Sequence, residues 1–169
     1  DLKRFNEHVD MLRSGPLADR EVLVVLNDRK GNVIFTDAPN GKIGVNMSSS
    51  AYFRYFADGA KDSYHISAPI FGRVTGRHSI PMVRPIYDKK GGFLGVVALS
   101  VRQDALANLG ARLQLSGDTT VAVVTKEGAV AARSRDLATV QGTKIAPELL
   151  APMLKGEDGV FSNLTAHDG

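Results

Sequence analysis

The sequence predicts an α+β fold: a five-stranded antiparallel sheet with helices mainly on one face, followed by a second, smaller lobe of the same kind that is truncated. Two observations predict it. A strand–turn–strand unit occurs twice, as Val22–Asp37 (VLVVLNDRKGNVIFTD) and as Thr120–Arg135 (TVAVVTKEGAVAARSR), each with a polar turn ending in glycine, Gly31 and Gly128. The match continues, because Gly44–Met47 leads into the helical stretch Ala51–Ala60 and Gly142–Ile145 leads into Pro147–Lys155. A repeat of this length indicates two copies of one α/β module. The second observation is element order. The first copy runs helix, two strands, helix, three strands, an order that closes an antiparallel sheet.

Each element has a local cause. Leu2, Phe5, Val9 and Leu12 form an a/d stripe on a helix ended by Ser14-Gly15-Pro16. That stripe fits packing on the chain's own sheet first, and as the alternative the end of a longer helix paired with another chain. Val22–Leu26 is a continuous apolar run, hence a buried strand. Asp28–Gly31 is a hairpin turn, and Asn32–Thr36 returns. Residues 37–47 carry Pro39, Gly41 and Gly44 and read as a loop. Ser48–Ser50 can cap the helix Ala51–Gly59 through a hydroxyl. The strands His65–Phe71, Ser79–Tyr87 and Phe93–Val101 follow, the last two joined by a turn over Asp88–Gly92. Pro81 and Pro85 cannot donate to a ladder, which predicts an edge or an irregularity in the middle strand. Leu106, Leu109 and Leu113 share one face of a helix over 102–115.

The organisation is therefore an N-terminal helix (1–16), a first lobe (17–101), a connecting helix (102–117) and a partial second lobe (118–169). Composition narrows the function classes. The chain has 169 residues, 43% hydrophobic, with a formal net charge of +3 and no cysteine. The apolar content is enough for a core. The weak positive field permits an anionic partner, while dispersed Arg and Lys without stacking aromatics argue against nucleic acid. No disulfide or thiolate chemistry is possible. No apolar run approaches a membrane span. The chain opens mid-pattern on Asp-Leu-Lys-Arg, which predicts a piece of a longer protein that continues past Gly169, with Asn163–Gly169 poorly packed.

A set of motifs in Ala51–Val101 occurs in a telling order. The aromatic pair Tyr52-Phe53 opens a helix. The strand Ala68-Pro69-Ile70, the turn Thr75-Gly76-Arg77 and the strands Met82–Ile86 and Gly92–Val97 follow. This stretch resembles the double Cache sensor family, tandem PAS-like lobes outside the bacterial inner membrane. The resemblance implies a PAS-like sheet and a first, membrane-distal lobe that binds a small molecule. It also implies a membrane-anchored receptor on the periplasmic side, whose output is a diguanylate cyclase, histidine kinase or chemoreceptor module; the Leu2, Phe5, Val9 and Leu12 stripe of the N-terminal helix is expected to pair two copies of that receptor as a homodimer. Amino-acid-binding members carry an arginine two residues before the aromatic pair and an aspartate on the lobe's last strand. Here those positions are Ser50 and Ser100, so free amino acids are not the expected ligands. Diguanylate-cyclase-linked members often carry Arg-Asp before Tyr-Phe, and Ser50-Ala51 departs from that as well.

The candidate ligand residues are Tyr52, Arg54, Tyr64, Arg77, Ser79 and Arg84, between helix Ala51–Gly59 and the strands His65–Phe71 and Ser79–Tyr87. Arg84 lies among apolar neighbours and shares a strand face with Ile80, Met82 and Ile86. It needs a protein carboxylate, a ligand anion or solvent. Arginines beside aromatic rings favour a ligand with a carboxylate or another anionic group and a modest apolar body, and without an acid at Ser100 an ammonium has no partner, which favours an organic acid over an amino acid. His8, His65, His78 and His167 lack metal-ligand spacing. No cofactor is called for. Ser48–Ser50 has no neighbouring base, so capping outweighs nucleophilic chemistry. Lys90–Gly95 lacks the ending of a phosphate loop and leads into a strand. The expected function is ligand sensing rather than catalysis. The alternative is a cytoplasmic PAS-like regulatory module without a ligand.

Overall fold

The computed structural model describes residues 2–15, 21–107, 119–140 and 143–156, and divides into two units, Asp1–Arg102 and Gln103–Gly169. The first unit contains α1 (Leu2–Arg13), β1 (Val22–Asp28), β2 (Val33–Thr36), α2 (Ala51–Ala57), β3 (His65–Ile66), β4 (Ile70–Phe71), β5 (His78–Tyr87) and β6 (Phe93–Arg102). All strands pair antiparallel in the order β2-β1-β6-β5-β3, with β4 also pairing β5. The sheet has the five positions expected. The strand predicted over His65–Phe71 is two short pieces, because Pro69 has no N–H for a ladder.

The middle strand departs from expectation. Despite Pro81 and Pro85, β5 is interior, paired with β6 along nearly its whole length. The carbonyl of Pro81 accepts from Ser67 N at 2.9 Å, so the main-chain groups of Pro81 face the β3–β4 side. In an antiparallel strand a residue's N–H and C=O point to the same edge. The missing N–H therefore falls on the side with sparse pairing and leaves the β6 ladder intact.

Register fixes the faces. Leu23, Val25 and Asn27 of β1 lie opposite Ser100, Ala98 and Val96 of β6, which lie opposite Pro81, Val83 and Pro85 of β5. On this face α2 packs Phe53 and Phe56 against Val25, Val83, Val96 and Ala98. Burying each of these rings contributes roughly 1.5–3 kcal/mol. The other face carries Val24, Leu26, Phe35, Ile80, Met82 and Arg84. There Phe35 meets Phe5 of α1 edge-on, with centroids 5.2 Å apart. Helices thus cover both faces, not mainly one. Phe5 and Val9 of the predicted stripe are used inside this unit, with Val9 buried, while Leu2 and Leu12 stay exposed. The C-terminal end of α1 is fixed by Arg13, whose Nε donates to Asp37 at 2.6 Å, while the other Asp37 oxygen accepts from Val24 N at 2.7 Å.

The second unit contains α3 (Gln103–Ala107), β7 (Ala122–Val124), β8 (Val130–Arg133), α4 (Leu137–Val140) and α5 (Pro147–Leu154). The internal repeat is visible in its backbone. Gly31 N donates to Asp28 O at 2.9 Å, and Gly128 N donates to Thr125 O at the same distance. Their φ angles are +82° and +84°. Each hairpin is followed by an isolated bridge, Asn32 with Asn46 and Ala129 with Lys144. Buried Gln103 ties α3 to β8 by donating to Ala131 O at 2.7 Å. Leu109, Leu113, His167 and Asn163–Gly169 lie outside the described residues. Among the described residues no helix is long and apolar enough to cross a membrane.

Candidate functional site

A cavity lies in the first unit, on the sheet face that carries α2. Its floor is Val25, Ala98 and Ser100, with Ser79 and Pro81 from β5 and Ile70 from β4. One wall is the approach to α2, Met47 and Tyr52. The facing wall is the β4–β5 turn, Gly72, Val74 and Thr75. Its volume is about 20 Å³, room for about one water molecule.

The polar groups in it are hydroxyls. Ser100 Oγ donates to Ser79 Oγ at 2.7 Å, and both residues are buried. Thr75 Oγ1 is buried without a hydrogen-bond partner. Tyr52 is 3% exposed and its phenol donates weakly to Asn27 Oδ1 at 3.4 Å. Burial pushes the Tyr52 phenol up to about 12, against smaller opposing effects from the charge of Arg73 and from that hydrogen bond. Among the described residues that line the cavity, none carries a charge.

The residues flagged from sequence divide sharply. Tyr52 and Ser79 line the cavity. Arg54 is exposed and paired with Asp58 at 3.3 Å. Tyr64 is 59% exposed, and Arg77 is exposed on the β4–β5 turn. Arg84 is exposed on the opposite face of the sheet, where its Nε donates to Ser63 O at 3.2 Å. Its partner is a backbone carbonyl and not a carboxylate. Residues 79 and 84 are an odd number apart on one strand, so they face opposite ways. That parity was readable from the sequence. Ser50 occupies the N-cap of α2, but its hydroxyl makes no cap bond. Sequence reasoning missed Met47, Thr75 and Arg73 as neighbours of the site. Nothing in the local pattern marks them, because the β4–β5 turn brings them together only in three dimensions. His65 stacks on Tyr55 at 3.9 Å, and no group of three His, Asp or Glu side chains among the described residues could hold a metal.

No family model and no curated protein matches the chain in sequence. Solved structures do match in fold. The extracellular domain of a candidate histidine kinase, rpHK1S-Z16, superposes with a TM-score of 0.66 at 16% identity, over 90% of this chain and 68% of that one. The ligand-binding domain of the Pseudomonas aeruginosa PAO1 amino acid chemoreceptor PctC, in complex with GABA, gives 0.58 at 17% identity, over 86% and 62%. The sensor domain of the Vibrio cholerae histidine kinase DctB gives 0.55 at 16%, over 95% and 58%. The chain has the fold of Cache-type sensor domains. It spans roughly three fifths to two thirds of the length of these solved domains. At this level of identity the Cache likeness describes architecture, and function has to be argued from the site.

Proposed function

We propose that this chain is the ligand-sensing, extracytoplasmic portion of a bacterial signalling receptor and that a small organic molecule binds the cavity beside Tyr52. The observation that carries the reading is the cavity itself. It is lined by buried hydroxyls, one without a partner, on the α2 face of a Cache-type sheet. Solved proteins of this architecture include receptors that hold GABA and L-serine. The ligand works by population shift: it binds best to a state in which the β4–β5 turn stands further from Met47 and Tyr52, and that difference in affinity drives the change. The role is sensing, not catalysis. The intact protein is anchored in the inner membrane with this portion in the periplasm, and a diguanylate cyclase, histidine kinase or chemoreceptor module receives the signal. Homodimerisation through α1 would rest on exposed Leu2 and Leu12, since Phe5 and Val9 are engaged.

The test is a thermal-shift screen of the chain against a metabolite library. A compound at about 100 times its Kd adds roughly 2.7 kcal/mol. For a unit of this size that raises Tm by about 10 °C or more. A library in which no compound gives a saturable rise would sink the reading.

A further inference from the structure

Arg73 ties together the two walls of the cavity. Its guanidinium reaches from the β4–β5 turn to Ser49 Oγ at 3.4 Å and Ser50 Oγ at 3.5 Å. Those serines stand between Met47 and Tyr52, and Arg73 stands between Gly72 and Val74, all four of them lining residues. The turn is braced internally. Gly72 N donates to Arg77 O at 2.8 Å, and Gly76 N donates to Gly72 O at 2.7 Å. A turn held that way moves as one piece, so the link at Arg73 controls how far it stands from the facing wall. The link is weak. Both contacts are long, both acceptors are neutral, and Arg73 is exposed. Its charge is nevertheless felt inside, where it acts on Tyr52.

We propose that Arg73 is a latch and the specificity-determining residue of this cavity, which takes a short-chain monocarboxylate whose carboxylate replaces Ser49 and Ser50 on the guanidinium. This deepens, and rests on, the ligand-sensing reading. The chemistry sets the ligand class. A carboxylate offers Arg73 a charge-assisted, bidentate partner in place of two long hydroxyl contacts. The apolar tail lies against Val25, Ile70 and Val74. A hydroxyl on the ligand, or one retained water, satisfies Thr75 Oγ1. The cavity has no carboxylate for an ammonium, so an amino group would be buried unpaired. With the latch engaged there is room for about one water, so the acid enters only as the turn moves out. Ligand binding and turn displacement are thus the same event.

The probes are propionate, propionamide, which removes the charge, and β-alanine, which adds an ammonium. Each is titrated by calorimetry into the wild-type chain, R73A and R73K. The expected result is propionate binding that falls about tenfold or more in R73A, with partial recovery in R73K and an unchanged Tm for both variants. Neither propionamide nor β-alanine should match propionate. Equal binding of propionamide, or R73A binding propionate like wild type, overturns the role of Arg73, and equal binding of β-alanine overturns the exclusion of an ammonium; each leaves the sensing reading intact. Failure of all three probes to bind wild type overturns the ligand class, and the metabolite screen then decides the sensing reading independently.

Discussion

The Ser79–Ser100 pair gives the sharpest test of the cavity floor. In Ser100→Ala the hydroxyl of Ser79, 2% exposed, loses its 2.7 Å partner. An orphaned buried hydroxyl costs about 1–3 kcal/mol. The neighbouring cavity of about 20 Å³ can hold one water, which places the cost near the lower end of that range. Ser79→Ala orphans Ser100 in the same way. The double variant removes both hydroxyls, so neither is left without the other, and it should lie closer to wild type than the sum of the single changes. The expected coupling is about 0.5–1.5 kcal/mol, the net worth of a typical hydrogen bond. Urea unfolding of all four proteins, at constant m-value, measures it. In a unit of this size each single variant should lose roughly 4–8 °C of Tm per kcal/mol. Additive single effects would show that the two hydroxyls do not depend on one another and would refute the arrangement. The same four proteins titrated with a screening hit give a second reading. Affinity lost in the double variant beyond that in either single variant ties the hydroxyls to the ligand and not only to the fold.

Three further outcomes follow from the structure. Arg84→Ala should change stability by no more than about 0.5 kcal/mol and leave ligand affinity untouched, since the side chain is exposed with one backbone acceptor; calorimetry that shows lost binding would return Arg84 to the site. Gly95→Ala should destabilise by several kcal/mol, on the order of 3 or more, because its φ is +141° and an added Cβ would lie 2.0 Å from Asn27 O; a Tm within a degree or so of wild type would contradict that approach. The Tyr52 phenol is raised from 10.0 to about 12, so the unfolded chain releases this proton first as pH rises. Its contribution is fully present below about pH 10 and is lost between about pH 10 and 12, where up to about 2–3 kcal/mol disappears. Tyr52→Phe should lack that share of the alkaline loss, and identical alkaline unfolding curves for the two proteins would rule it out.

Much of the fold was legible because period and punctuation are local. The apolar run Val22–Leu26, the turn at Gly31 and the repeat at Gly128 are properties of a few adjacent residues, and the backbone repeats them bond for bond. Pro81 shows where that locality ends. Sequence alone says that a donor is missing, but the direction in which it is missing depends on which neighbour lies on which edge. Of the candidate site residues, Tyr52 and Ser79 line the cavity, while Arg54, Tyr64, Arg77 and Arg84 do not. Arg84 attracted attention as a charge among apolar residues, yet strand parity already placed it opposite Ser79, and the two could not share a pocket. Its charge marks the outer face, while the polar groups of the cavity on the inner face are the hydroxyls of Ser79, Ser100, Thr75 and Tyr52, of which the sequence singles out Tyr52 and Ser79. The cation that stands beside the cavity, Arg73, is invisible to any periodic reading. It sits in a turn, and its meaning comes from Ser49 and Ser50, more than 20 positions away. A site built by apposing a turn against a helix approach has no pattern along the chain. It becomes readable once the turn's own hydrogen bonds and the contacts of Arg73 with Ser49 and Ser50 are traced in three dimensions.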